Sequence, residues 1–136
     1  MKTKSICYWV ATALIGLETL AGGLMDLTYG RIMIVSGPSV VDAVTTLGYP
    51  VYILTILGIW KVLAAIVLFV PGFRRLKEWA YAGIVFELSA AAASQAVRGH
   101  AVDIIAPLIL LGLTFVSWAL RPASRTLTDD RAVQAC

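Results

Sequence analysis

The chain is short of the side chains that carry covalent and redox chemistry. It holds one histidine, His100, and two cysteines, Cys7 and Cys136. A single imidazole cannot ligate a haem from both faces, which excludes a haem held between two histidines. No C-x-x-C and no Cys/His cluster with metal-ligand spacing occurs, so a zinc site has no ligand set. Cys7 and Cys136 read as unpaired thiols on a reducing face. Glycine-rich phosphate loops, Ser/His/Asp arrangements, flavin motifs, internal repeats and low-complexity tracts are absent as well. The residues supply no self-contained catalytic motif and no evident cofactor.

Charge is scarce too. Of the 136 residues only 14% are charged, and 60% are hydrophobic, against about a quarter and about a half in soluble domains. The net charge of +3 comes mostly from the segments between apolar blocks. It therefore gives no reason to expect nucleic acid as a partner; the lipid bilayer is the expected one. The apolar residues gather in four blocks, 5–25, 50–70, 79–97 and 103–120, each near the length that crosses a bilayer as a helix. The expectation is an all-α protein, a four-transmembrane-helix bundle over residues 1–120 with a polar, mobile cytoplasmic tail over 121–136. The first block has the charged front and apolar middle of a secretory signal. It runs past signal length, however, and Glu18 interrupts it, so it reads as a retained helix.

The cations set the orientation. Lys2, Lys4, Arg74, Arg75, Lys77, Arg121, Arg125 and Arg131 fall on one side of a four-span arrangement, and Arg31 and Arg98 on the other. This bias predicts an integral protein of a bacterial cytoplasmic membrane with both termini cytoplasmic. Arg74, Arg75 and Lys77, in the turn between the second and third spans, are candidate ligands for anionic lipid head groups. In the long outer connection from Asp26 to Leu47, Ser36-Gly37-Pro38 signals a helix start and Gly48 a stop. Val40, Val41, Val44 and Leu47 share one face between them, which predicts a short amphipathic helix in the first external loop.

Charges inside the spans are the informative exceptions. A charge at mid-bilayer opposes insertion by about 2.5–3.5 kcal/mol and seldom occurs without a partner. Counting from the basic turn, Lys61 lies roughly 13 Å deep and Glu87 roughly 12 Å, so the two are expected to pair. Glu18, between Gly16 and Gly22-Gly23, lies deeper, at roughly 20 Å. Trp60 adjoins the lysine. Ala80, Gly83, Glu87, Ala90 and Ser94 recur every three or four residues and predict a small-residue contact face on the third span. With the polar groups that follow, the candidate ligand-binding set is Glu18, Trp60, Lys61, Glu87, Ser94 and Gln95.

The middle of the chain also resembles a known family. Leu47-Gly48-Tyr49-Pro50, Leu57-Gly58-Ile59-Trp60-Lys61, Val70-Pro71-Gly72-Phe73 and Leu76-Lys77-Glu78-Trp79-Ala80-Tyr81-Ala82-Gly83 are similar to the signature of small DoxX-like membrane proteins. The resemblance implies four helices. It also implies an accessory role in a membrane complex linked to quinone redox chemistry, with a quinone or other lipophilic ligand near Lys61, Glu87 and Glu18. In that pattern a Ser-His pair stands where this chain has Ser94-Gln95, which can hydrogen-bond but cannot titrate. Two functions from different classes remain open: an accessory subunit, held by other subunits or by its own copies, and a binder or carrier of a lipophilic small molecule, coupled to protons.

Overall fold

A 26-residue apolar stretch free of proline opens the chain as helix α1, Lys2–Leu27. It ends where Gly30 N–H donates to Met25 O (2.9 Å) and Tyr29 N–H to Asp26 O (3.1 Å), the paired bonds of a Schellman stop. The computed structural model describes residues 2–34 and 38–126. Of the expected start Ser36-Gly37-Pro38, Ser36 and Gly37 lie outside these residues. Helix α2, Val40–Thr46, is instead capped by Ser39, whose Oγ accepts the N–H of Val41 at 3.3 Å. Gly48 takes the left-handed conformation (φ 87°) that a second Schellman stop requires, with Tyr49 N–H donating to Val44 O at 2.9 Å. Helices α3 (Ile53–Phe69), α4 (Arg74–Val97) and α5 (Ile105–Ala119) follow, then a single 3₁₀ turn, Ala123–Arg125. Among the described residues there is no strand.

The bundle closes as a ring. Helix α1 packs most extensively on α3, α3 on α4, α4 on α5, and α5 returns to α1. Helix α2 buries none of its residues and stays outside the ring. One end is sealed by an apolar core of Ile15, Leu68, Ala80, Tyr81 and Ile84. The other is tied by polar contacts: Tyr49 OH with Ser94 Oγ (2.7 Å), Arg98 Nη2 donating to Leu47 O (3.0 Å), and Tyr29 OH with Thr55 Oγ1.

Where α1 meets α3 the two backbones touch. A Cβ on Gly58 would lie 2.9 Å from Gly23 O, and one on Gly23 would lie 3.1 Å from Gly58 O and 2.8 Å from Lys61 Cβ. Only hydrogen fits at either position, so this glycine pair sets the register of the closest helix contact.

Two helices, Thr3–Leu27 and Arg74–Val97, are long and apolar enough to cross a membrane, whereas Ile53–Phe69 and Ile105–Ala119 are apolar but shorter. The apolar blocks 50–70 and 103–120 are thus not helical throughout. Pro50 O accepts from Ile53 N–H (3.1 Å) and Val102 O from Ile105 N–H (3.3 Å), so i→i+3 turns take up the leading residues of each block.

Three further expectations are corrected. The basic turn shrinks to Val70–Phe73, because Arg74 to Lys77 already form the first turn of α4. The small-residue stripe is the contact face of α4 only in part: Ala80 is buried, Glu87 meets Lys61 and Ser94 meets Tyr49, but Gly83 and Ala90 are exposed, and a Cβ on Gly83 would meet nothing within 4 Å. The buried face is Lys77, Ala80, Tyr81, Ile84 and Ala92, rotated from the stripe because Tyr81 and Ile84 are larger and bury more apolar surface. The tail does not leave the bundle at residue 121, since Arg121 and Arg125 fold back onto it; residues 127–136, with Arg131 and Cys136, lie outside the described residues.

Candidate functional site

Two clusters of charge lie within the bundle. The first forms around Lys61, in the middle of α3. Its Nζ is 2.8 Å from Asp26 Oδ2 of α1 and 2.9 Å from Glu87 Oε1 of α4. The lysine stem crosses α1 over Gly22 and Gly23; a Cβ on Gly23 would collide with it, 2.8 Å from Lys61 Cβ. One ammonium thus joins three helices. Glu18 lies one helical turn from Gly22, and its Oε1 and Lys61 Nζ flank the same point beside that glycine, 3.8 and 3.5 Å from where a Cβ would stand. Unlike Asp26, which is 5% exposed, Glu18 stays accessible. The centre holds one cation and three carboxylates, an excess of acid inside an apolar bundle.

Asp26 is the partner that the sequence did not disclose. Hydropathy closes the apolar block at Met25 and puts Asp26 in the outer connection. The signal was there in the spacing: Glu18, Gly22 and Asp26 recur every four residues and so share one face of a helix. The remaining sequence candidates stand apart from Lys61. Trp60 is 67% exposed and turns away from the bundle. Ser94 bonds Tyr49, and Gln95 Oε1 lies 3.0 Å from Nδ1 of His100, so both secure the end of α4.

The second cluster gathers cations at the end that brings together the start of α1, the α3–α4 turn and the end of α5. Lys77 is only 1% exposed, and its ammonium donates to the carbonyls of Val67, Leu68 and Val70, the last turn of α3 and its cap. Those carbonyls have no partner inside their own helix, so the lysine satisfies the C-terminus of α3 and meets its negative dipole end. Arg125 Nη1 adds a bond to Leu68 O (3.0 Å), with its guanidinium 4.6 Å from the ring centre of Trp9. Arg121 pairs with Glu78 at 2.7 Å, whose other oxygen accepts from Trp118 Nε1 at 3.0 Å. Beneath them runs a buried hydroxyl chain, Tyr81 OH to Ser117 Oγ to Thr12 Oγ1, with both steps 2.7 Å. Of the three head-group candidates, Arg74 and Arg75 remain exposed, and Arg74 also donates to Ser124 O at 3.2 Å.

Among the described residues no group of His, Cys, Asp and Glu is placed to hold a metal ion. No curated protein and no solved structure matches the chain at a significant level. A sequence model of the DoxX-like family matches residues 10–117, a stretch that contains Glu18, Asp26, Lys61 and Glu87 and nearly all of the helix ring. The chain is therefore a membrane protein of the DoxX-like family.

Proposed function

We propose that the protein is a four-span accessory subunit of a complex in a bacterial cytoplasmic membrane, with both termini cytoplasmic. Its charged centre sets helix register and offers Glu18 as the group presented to a partner or ligand. The observation that carries this reading is the engagement of Lys61 by two carboxylates on two other helices at 2.8 and 2.9 Å. Fixing register is among the better-attested uses of buried ionic groups, which contribute little net stability against an apolar replacement. The cations that meet at one end of the bundle, together with the sequence bias of the loops, support the orientation.

A second reading is favoured by Glu18 itself. A lysine whose third ammonium proton is not committed to Asp26 or Glu87 can donate to a ligand oxygen, and the accessible carboxylate beside it can accept from a ligand hydroxyl, a donor–acceptor pair suited to a quinol or a similar lipophilic ligand.

Purification in mild detergent, followed by mass spectrometry of the bound proteins, lipids and quinones, separates the two. The accessory reading expects other subunits at fixed stoichiometry, reduced by Glu18→Gln. A quinone or other lipophile retained without protein partners, and lost in Glu18→Gln, would replace it with the second. Cysteine labelling of intact cells checks the topology: a residue introduced at Gly99 should label from outside, and the turn at Gly72 should not.

A further inference from the structure

One open groove does not touch Lys61. It lies between α4 and α5, has a volume of about 250 Å³, and is lined by Ala82, Val85 and Phe86 on one side and Thr114, Phe115 and Trp118 on the other. Its wall is apolar apart from Glu78 at the rim, and that carboxylate is already held by Arg121 and Trp118. Tryptophan favours the level of the lipid head groups. Trp79, 76% exposed, and Trp118, 46% exposed, mark that level at the rim. The groove below them is at acyl-chain depth.

Above the rim the same helix face turns cationic. Arg75, Glu78, Ala82 and Val85 follow one another at intervals of three and four along α4, so exposed Arg75 stands one turn beyond the groove on its own line. A basic position over an apolar channel is complementary to one amphiphile, an anionic phospholipid with phosphate above and chain below. A partner helix fits less well, because the groove spans only Glu78 to Phe86 of α4 and is bounded by a cation.

We propose that the α4–α5 groove is a specific site for an anionic phospholipid, with one acyl chain along Ala82, Val85 and Phe115 and the phosphate at Arg75. The site is separate from the Lys61 centre and independent of the role assigned to it.

The test is native mass spectrometry of the full chain, purified in mild detergent and titrated with dioleoylphosphatidylglycerol or dioleoylphosphatidylcholine. One phosphatidylglycerol should bind with clear preference. Arg75→Gln should weaken it about fivefold, the contribution of one cation near a head group, and leave phosphatidylcholine unchanged. Ala82→Phe, which fills the groove from its exposed side, should weaken both lipids; Val85→Phe provides the same test if Ala82→Phe fails to fold. Melting curves matching the parent establish that the variants are folded. Unchanged phosphatidylglycerol binding in the folded groove-filling variant would overturn the proposal. So would equal loss of both lipids in Arg75→Gln, or a groove-filling variant that alters only the oligomeric state.

Discussion

The two charged clusters solve the burial of charge in opposite ways. At the basic end, cations meet mostly neutral groups among the described residues: Lys77 faces three carbonyls, Arg125 a carbonyl and two aromatic rings, and Arg121 has a carboxylate. Around Lys61 the cation meets carboxylates, and there are more of them than it can neutralise. Helix ends supply dipoles that can stabilise a cation without a counter-charge. Mid-helix backbone cannot, because its carbonyls are already bonded within the helix. A lysine in the middle of α3 therefore needs acids from neighbouring helices, and that need draws Asp26 and Glu87 to one point. At the basic end Lys77, Arg121 and Arg125 are spent on the bundle itself; the centre keeps an accessible acid, Glu18.

The comparison predicts a graded series of losses in detergent melting experiments. Lys61→Met should be the most damaging, at about 3–5 kcal/mol, because it leaves buried Asp26 and half-buried Glu87 without a counter-charge. Adding Glu87→Gln should restore only part of this, and adding Asp26→Asn as well should restore most of it. Next comes Lys77→Met, at about 1–3 kcal/mol for unsatisfied carbonyls; Arg125 limits the loss at Leu68 but not at Val67 or Val70. Gly58→Ala should cost a similar ~1–3 kcal/mol, since the new Cβ would meet Gly23 O at 2.9 Å and Leu27 Cγ at 2.7 Å. Gly83→Ala, on the open face of α4, should stay within about 0.5 kcal/mol. Glu18→Gln belongs at the same low end for stability, and its effect should be read in the co-purification profile instead. A large melting loss in Glu18→Gln would make that carboxylate part of the structural lock.

What was legible in the sequence follows the same division. The partnership of Lys61 with Glu87 could be counted out from a short turn, because antiparallel neighbours place residues equally far from the turn at equal depth. Asp26 escaped because hydropathy is read one segment at a time and ends a span at the first charge. Helix α1 continues past that charge because the compensating lysine is on another helix. By charge and loop position Lys77 reads like the surface arginines; what sets its burial is the need of the α3 carbonyls, which no residue pattern displays. Ser94 and Gln95 fall near the helical face of Glu87, yet they stand two turns further along, roughly 11 Å, and so fasten the end of α4. The small-residue pattern predicts a contact face on α4, whereas the backbones touch at Gly23 and Gly58, since small residues announce that helices can approach without saying which partner comes.

The most direct test of the shared lysine is a double-mutant cycle between Lys61 and Asp26, using Lys61→Met, Asp26→Asn and the pair, read as melting free energies in one detergent. With the two groups 2.8 Å apart, the double variant should be more stable than the sum of the single losses implies, by about 1–3 kcal/mol. Losses that add to within about 0.5 kcal/mol would mean that Asp26 and Lys61 do not interact, and would contradict a centre in which one lysine joins α1, α3 and α4.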